Sequence, residues 1–157
     1  MQNRMKNNQL TAEQIDNLLS ASSVGSLATI NSDGSPYVVP VHFVRQNGFV
    51  YFHGLPKGQK LDNIKNDPRV SMTVYEMGGL LLDDNGQPCD TNTKYQSVIL
   101  SGDASVVEDF ETKKAMLLEI VKKYTPNIAE NEMPDNMIKG TSVIQIKIGD
   151  ITGKHYS

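Results

Sequence analysis

The stretch VGSLATINSDGSPYVVPVHFVRQNGFVYFHG, residues 24–54, decides the fold. Short runs of β-branched and apolar residues alternate there with turn signals, the texture of a β-meander. Asp33–Gly34 and Asn47–Gly48 offer the positive φ that tight hairpin turns require, so two consecutive hairpins are expected. The predicted strands cover residues 25–30, 36–44 and 49–53. Pro40 falls inside the second of them, and proline cannot donate to a ladder. It therefore marks an edge, a bulge, or a place approached by something other than a strand.

Upstream, Thr11 and Gln14 have the spacing of a capping box. Ile15, Leu18 and Leu19 follow on one face, which predicts a short helix over residues 11–20 able to seal one end of a larger structure. Downstream, residues 60–66 read as one or two helical turns stopped by Pro68, and RVSMTVYE, residues 69–76, as a strand. A loop is expected over residues 77–94, carrying a further turn signal at Asn85–Gly86. Residues 95–107 form the next predicted strand, with Gly102 as a bulge or bend. Asp109 caps a helix running to Tyr124, with Phe110, Leu117, Ile120, Val121 and Tyr124 on one stripe and Lys122 and Lys123 at its negative end. After an irregular stretch over residues 125–140, residues 141–154 alternate and return as the last strand.

The expectation is one domain over residues 1–157, mainly β with peripheral helices. Its six antiparallel strands should close or nearly close as a small barrel.

Composition narrows the function. A chain of 157 residues, 38% hydrophobic and 21% charged, can bury a real core, and a formal charge of −3 offers no basic field for nucleic acid or an anionic membrane. No apolar run approaches the roughly 20 residues that span a bilayer. The lone Cys89 can form no internal disulfide, and MQNRMKNNQL lacks the apolar stretch of a signal peptide, so a cytoplasmic location is expected.

His42, His53, His155 and Cys89 show no metal-ligand spacing, and no metal site is expected. The nucleophile elbow, the dinucleotide fingerprint and the phosphate loop of nucleotide hydrolases are all missing. Cys89 lies in a polar loop with no neighbour to lower its pKa.

What remains is FHGLPKGQKLDNIKNDP, residues 52–68. Gly54 and Gly58 let the backbone turn its amides toward one point, Lys57 and Lys60 add cations, and a helix starting near Lys60 adds its positive end. These features suit a phosphate cradle. Spacing alone leaves a solvated connector open, because short glycine-lysine loops are common. His53, at the end of the preceding strand, could donate to a phosphate, supply a proton, or satisfy a carbonyl at the rim.

Taken in order, residues 25–44, 50–74 and 95–107, the helix ending KKYTP and the terminal ITGK resemble the pyridoxamine 5′-phosphate oxidase-like split-barrel flavoproteins, and among them the nitroimidazole-resistance subgroup. The sharpest part of the resemblance is YFHG-x-x-x-G-x-K, residues 51–60, and the match covers about residues 12–154.

The resemblance implies a split-barrel homodimer that holds flavin mononucleotide at the subunit interface. By matching position, Val39, Pro40, Val41 and His42 would line the flavin ring, largely through their backbone. His53, Gly54, Lys57 and Lys60 would hold the ribityl phosphate, and Gln96, Ser97 and Val98 would approach from a later strand, across the dimer. His53 also matches the histidine associated with the active site of the nitroimidazole-resistance proteins. The implied activity is flavin-dependent reduction of a small acceptor by a small-molecule electron donor. A flavin- or haem-binding storage module without turnover is the alternative, and a plain barrel without cofactor the third reading.

Relatives also bind haem or the deazaflavin F420. The arginine motifs of true pyridoxamine phosphate oxidases are missing, since Arg4, Arg45 and Arg69 match none of them. Vitamin B6 oxidation is therefore not expected.

Overall fold

A computed structural model describes residues 7–157; residues 1–6, which contribute to the reading of the N-terminal stretch, lie outside the described residues. The capping box forms as spelled: Thr11 Oγ1 accepts from the Gln14 amide at 3.2 Å, and Gln14 Oε1 accepts from the Thr11 amide at 2.8 Å. It starts α1 (Ala12–Ala21), whose Ile15, Leu18 and Leu19 are buried against one end of the sheet.

The meander follows as β1 (Gly25–Ile30), β2 (Pro36–Val41), β3 (Phe43–Gln46) and β4 (Phe49–Gly54). Asn47 and Gly48 adopt φ of 51° and 81°, the doubly positive pair that a two-residue hairpin needs. Then come α2 (Gln59–Asn66), β5 (Arg69–Leu81), β6 (Asn92–Val106), α3 (Phe110–Tyr124), α4 (Asp135–Gly140) and β7 (Ser142–Tyr156). No helix among the described residues is long and apolar enough to cross a membrane.

All strand pairs are antiparallel, and the sheet order is β2-β1-β5-β6-β7-β4-β3. The mainly β split-barrel reading stands, with seven strands where six were expected, because residues 36–44 divide at His42. Val41 pairs with Gly25 of β1 at one edge of the sheet, while Phe43 pairs with Phe52 of β4 at the other. One straight strand cannot lie at both edges, so the chain turns a corner at His42 and curls the sheet into an unclosed barrel. Pro40 lies on the edge strand β2, where its missing donor costs no ladder bond.

The expected loop over residues 77–94 is mostly strand. β5 continues past an irregularity between Met77 and Gly79, and Leu80 and Leu81 pair with Thr93 and Asn92. The connection shrinks to residues 82–91. Gly102 does sit at a bulge, where the register shifts next to Ser101. The irregular residues 125–140 contain a single turn at Pro126–Ile128 and the short α4.

Two apolar clusters hold the fold. Inside the curl, Leu27, Val50, Phe52, Met72, Val98, Leu100, Ile144 and Ile146 are excluded from water, each large side chain contributing about 1.5–3 kcal/mol by burial. On the outside of β3, β4 and β7, α3 lays Leu117 and Ile120 over Val44, Tyr51, Val143 and Ile138. His53, two residues beyond Tyr51, emerges at the end of this covered face.

Candidate functional site

β4 delivers His53 and Gly54 to the start of the glycine-lysine loop, and α2 begins at its far side. Gly58 is the residue before the helix, at φ 133° and ψ 164°, a conformation that a side chain would strain. Its carbonyl accepts from the amides of Leu61 and Asp62 at 2.9 and 3.1 Å, and no side chain caps the helix. The amides of Gln59 and Lys60 thus lie in the first turn, where a helix has no acceptor of its own to offer them.

Lys60 turns back over the end of β4. Its Nζ lies 5.2 Å from the centre of the Phe52 ring and 3.6 Å from the point where a Cβ on Gly54 would sit. The side chain is half-buried, and burial lowers its pKa below the usual lysine value. The ion pairs among the described residues join Arg45 to Asp16, Arg69 to Asp67 and Lys122 to Glu119, and Lys60 takes part in none. A partly desolvated ammonium beside orphan amides and two glycines has the donor chemistry of an anion cradle. Lys57 is exposed.

The helix is fixed in place by a polar clamp. Asn63 is 2% exposed; its Nδ2 donates to Thr29 Oγ1 at 3.0 Å and to Asn31 Oδ1 at 2.8 Å, and its Oδ1 accepts from Gln59 Nε2 at 2.8 Å. This ties the first turn of α2 to β1 and the following turn. Sequence reasoning missed the clamp. The available signal was an amide side chain set between Leu61 and Ile64 on the inward face of a short helix.

His53 projects from the outer face of β4, and its pKa is lowered by partial burial first, then by His42 and Lys60. The three basic side chains therefore share one neighbourhood. The His42 ring stacks on Tyr124 with centroids 4.7 Å apart and planes 24° from parallel. The corner residue is thereby held by the last residue of α3.

Within one chain the structure brings together His42, His53, Gly54 and Lys60, with Lys57 on the exposed part of the loop. Val41 is buried and Val39 half-buried toward the barrel interior, while Pro40 is exposed on the edge strand. Gln96, Ser97 and Val98 lie elsewhere. On β7, Gly54 is opposite Ser142 but Ser97 is opposite Lys154, far along the same strand. Val98 is fully buried, leaving only its backbone for any ligand, and the buried Ser97 Oγ has no hydrogen-bond partner. Ser97 lines a separate cavity of about 200 Å³ with Leu10, Ile15 and Gly153. Among the described residues no three His, Cys, Asp or Glu side chains gather as a metal-ligand set.

This fold and loop define a split-barrel protein whose glycine-lysine loop carries the donor groups described above. The family model described as pyridoxamine 5′-phosphate oxidase matches residues 11–155, and the chain belongs to that family.

A curated relative, the uncharacterized protein RA0666 of Rhizobium meliloti (strain 1021), is 25% identical over 93 residues, 59% of this chain and 52% of its own. The chain spans about half the length of that relative. Among solved structures, the flavocytochrome Anf3 from Azotobacter vinelandii superposes with a TM-score of 0.86 at 23% identity, over 100% of this chain and 72% of that one. The FAD and heme binding protein from Mycobacterium smegmatis gives 0.85 at 19% identity, over 96% and 74%. A proposed 5-nitroimidazole antibiotic resistance protein from Bacteroides thetaiotaomicron VPI-5482 gives 0.79 at 23% identity, over 94% and 86%. These likenesses establish the shared fold.

Proposed function

We propose that the protein binds flavin mononucleotide and acts as a flavin-dependent reductase of small acceptors, as the resemblance to the nitroimidazole-resistance subgroup implies. The observation that carries this reading is Lys60, a half-buried cation with no ion-pair partner among the described residues, poised over Gly54 beside an uncapped helix start. In this reading Lys60, Lys57 and the loop amides hold the phosphate. The backbone of Val39 to His42 runs along the ring. The flavin, when bound, supplies the electron transfer, and the protein supplies binding, orientation and a proton route. His53 offers one ring nitrogen as donor and one as acceptor when neutral, so it can hold or pass a proton at the acceptor.

The proposal includes a homodimer with the flavin between protomers. It is supported by the outer face of the sheet, where Val38, Tyr75 and Ile99 are 60%, 57% and 51% exposed. The register places Pro40, Ser26, Thr73 and Ile99 in one row across β2, β1, β5 and β6, so these apolar groups share a face. In this reading the segment Gln96 to Val98, which the register separates from the loop within one chain, approaches the ring held by the second copy.

The test is a flavin titration followed by fluorescence quenching. Wild-type protein should bind flavin mononucleotide more tightly than riboflavin, which lacks the phosphate. Lys60→Met should weaken the mononucleotide about tenfold or more, roughly 1.4 kcal/mol, and leave riboflavin unchanged. Steady oxidation of a reduced nicotinamide with a nitroimidazole or quinone then supports the reductase. Flavin binding without turnover supports the storage alternative, and a protein that takes up no flavin overturns the proposal.

A further inference from the structure

The connection from α3 to β7 encloses, against α3, a cavity of about 380 Å³ walled by Leu117, Leu118, Val121, Ile128, Met133 and Met137. The volume falls at the lower end of the range for small-molecule sites, which are typically about 300–1,000 Å³, mostly apolar, and supplied with a few polar groups. The wall is anchored on both sides of one acidic residue. Before it, the Asn131 amide donates to the Ile128 carbonyl at 3.1 Å. After it, Met133 packs against the apolar cluster under α3, and the Pro134 carbonyl accepts from the Ile138 amide at 3.2 Å to start α4. Glu132, between these fixed points, is exposed at the rim of the cavity.

Charge at the rim selects the guest. Glu132 is the one carboxylate of the lining, neither lysine nor arginine belongs to it, and Glu132 joins none of the ion pairs among the described residues. Cations of the flanking helices are engaged elsewhere: Lys122 pairs with Glu119, Lys113 donates to the Lys139 carbonyl at 3.3 Å, and the Lys139 ammonium lies 5.7 Å from the centre of the Phe110 ring. Over residues 125–140 three acids, Glu130, Glu132 and Asp135, stand against the single Lys139, so the connection is net negative. His53 also lines the cavity; partial burial, then His42 and Lys60, hold its pKa below 6.5, and at neutral pH it adds no opposing charge. The Thr141 hydroxyl is already spent on the Met137 carbonyl at 2.9 Å. No Phe, Tyr or Trp lines the cavity, so the aromatic cage that receives a quaternary ammonium is missing, while hydrogen-bond acceptors are present.

We propose that this cavity binds a small lipophilic primary amine, its alkyl body against the aliphatic and thioether wall and its ammonium donating to the Glu132 carboxylate at the rim. Ile128 and Met137 remain 47% and 63% exposed despite their size, and the alkyl body covers them. Methionine adapts its shape to such a guest. An anion of the same length meets like charge at the rim, and a guest with polar groups along its body gives up their hydration against the wall without compensation. The site makes no use of a flavin, so it stands apart from the reductase reading.

The experiment uses the full-length protein with ¹³C-methyl-labelled methionine, titrated at neutral pH with hexylamine, hexanoate, 1-hexanol, hexyltrimethylammonium and N-acetyl-lysine methylamide. Hexylamine, protonated at that pH, should shift the Met133 and Met137 methyl resonances saturably. Hexanoate should bind about tenfold or more weakly, because attraction at the rim becomes repulsion. Hexyltrimethylammonium, without an N–H to donate, should bind more weakly than hexylamine. The lysine derivative carries the same head on a peptide, and its amides should weaken it about tenfold against the apolar wall. Glu132→Gln, at an exposed position, should weaken hexylamine about threefold, the modest effect of a partly solvated ion pair, and leave 1-hexanol unchanged. Met137→Trp, also exposed, should fill the mouth and weaken both, read at Met133. Absence of saturable shifts at Met133 and Met137, equal binding of hexanoate or of hexyltrimethylammonium, or an unaltered hexylamine affinity in Glu132→Gln would overturn the inference. Equal binding of the lysine derivative would overturn it as well, by assigning the site to a protein partner's lysine.

Discussion

The hydroxyl of Tyr124 lies 2.8 Å from the amide nitrogen of Phe43 and 2.9 Å from its carbonyl oxygen. The last residue of α3 thus engages both backbone polar groups on the open side of β3, an edge strand that would otherwise present them to solvent. The same hydroxyl is also 2.9 Å from the Ser23 carbonyl. One phenol therefore joins the helix, the corner at His42 and the entry to β1.

Tyr124→Phe removes these bonds while keeping the ring that stacks on His42. The corner amide loses its partner, and the expected cost is about 1–3 kcal/mol. Urea denaturation should show a lower midpoint with an unchanged slope. Tyr124→Leu should cost more, since the stack is lost as well.

Lys123 completes the same edge by donating to the carbonyls of Phe43 and Leu19 at 3.0 and 3.1 Å. Burial pulls its pKa down from 10.5 to about 8. Between those values the unfolded chain binds the proton and the folded chain does not, so this residue's contribution to stability rises with pH across that window. Below about 8 both forms are charged and the penalty of burying the cation is fully present. Wild type and Lys123→Met, unfolded in parallel at neutral and at alkaline pH, should differ more in favour of wild type at the alkaline value.

His53 should titrate below 6.5, with partial burial the main cause and His42 and Lys60 adding to it. In an NMR titration of the flavin-free protein, Lys60→Met should move the His53 midpoint upward. The sign for stability is also fixed. As pH falls below 6.5 the unfolded state takes up the proton first, so His53 lowers stability progressively as acid is added through its folded midpoint. The stability difference between wild type and His53→Gln should therefore change between pH values above and below that range.

Asn63→Ala breaks the clamp and leaves the Thr29 hydroxyl, itself only 1% exposed, without its 3.0 Å donor. The expected loss is about 1–3 kcal/mol in chemical denaturation. The released first turn of α2 should also weaken phosphate-dependent binding of flavin mononucleotide relative to riboflavin.

A Cβ at Gly102 would overlap the Lys147 carbonyl, which is backbone and cannot swing aside. Gly102→Ala should cost about 3 kcal/mol or opened pairing between β6 and β7, since overpacking against rigid groups costs about 1–3 kcal/mol and occasionally more. Amide exchange along Ala104 to Val106 should quicken in that variant.

The sequence by itself determined the local structure. The Thr11–Gln14 box, the Asn47–Gly48 turn and the Asp109-capped helix each depend on residues close together in the chain, and each forms as its own residues dictate. The motif around His53, Gly54 and Lys60 was legible for the same reason, since one strand end, one loop and one helix start carry it.

Tertiary structure decided what depends on distant partners. Residues 36–44 read as one strand because their pattern is continuous, yet Val41 and Phe43 pair at opposite edges of the sheet, and only the closing of the curl forces the corner at His42. Asn63 becomes a clamp only when α2 packs on β1, and Lys60 lacks an ion-pair partner among the described residues only once the fold has arranged their carboxylates elsewhere. The separation of Ser97 from the loop within one chain follows from strand register, which side-chain alternation limits by face but does not fix in length.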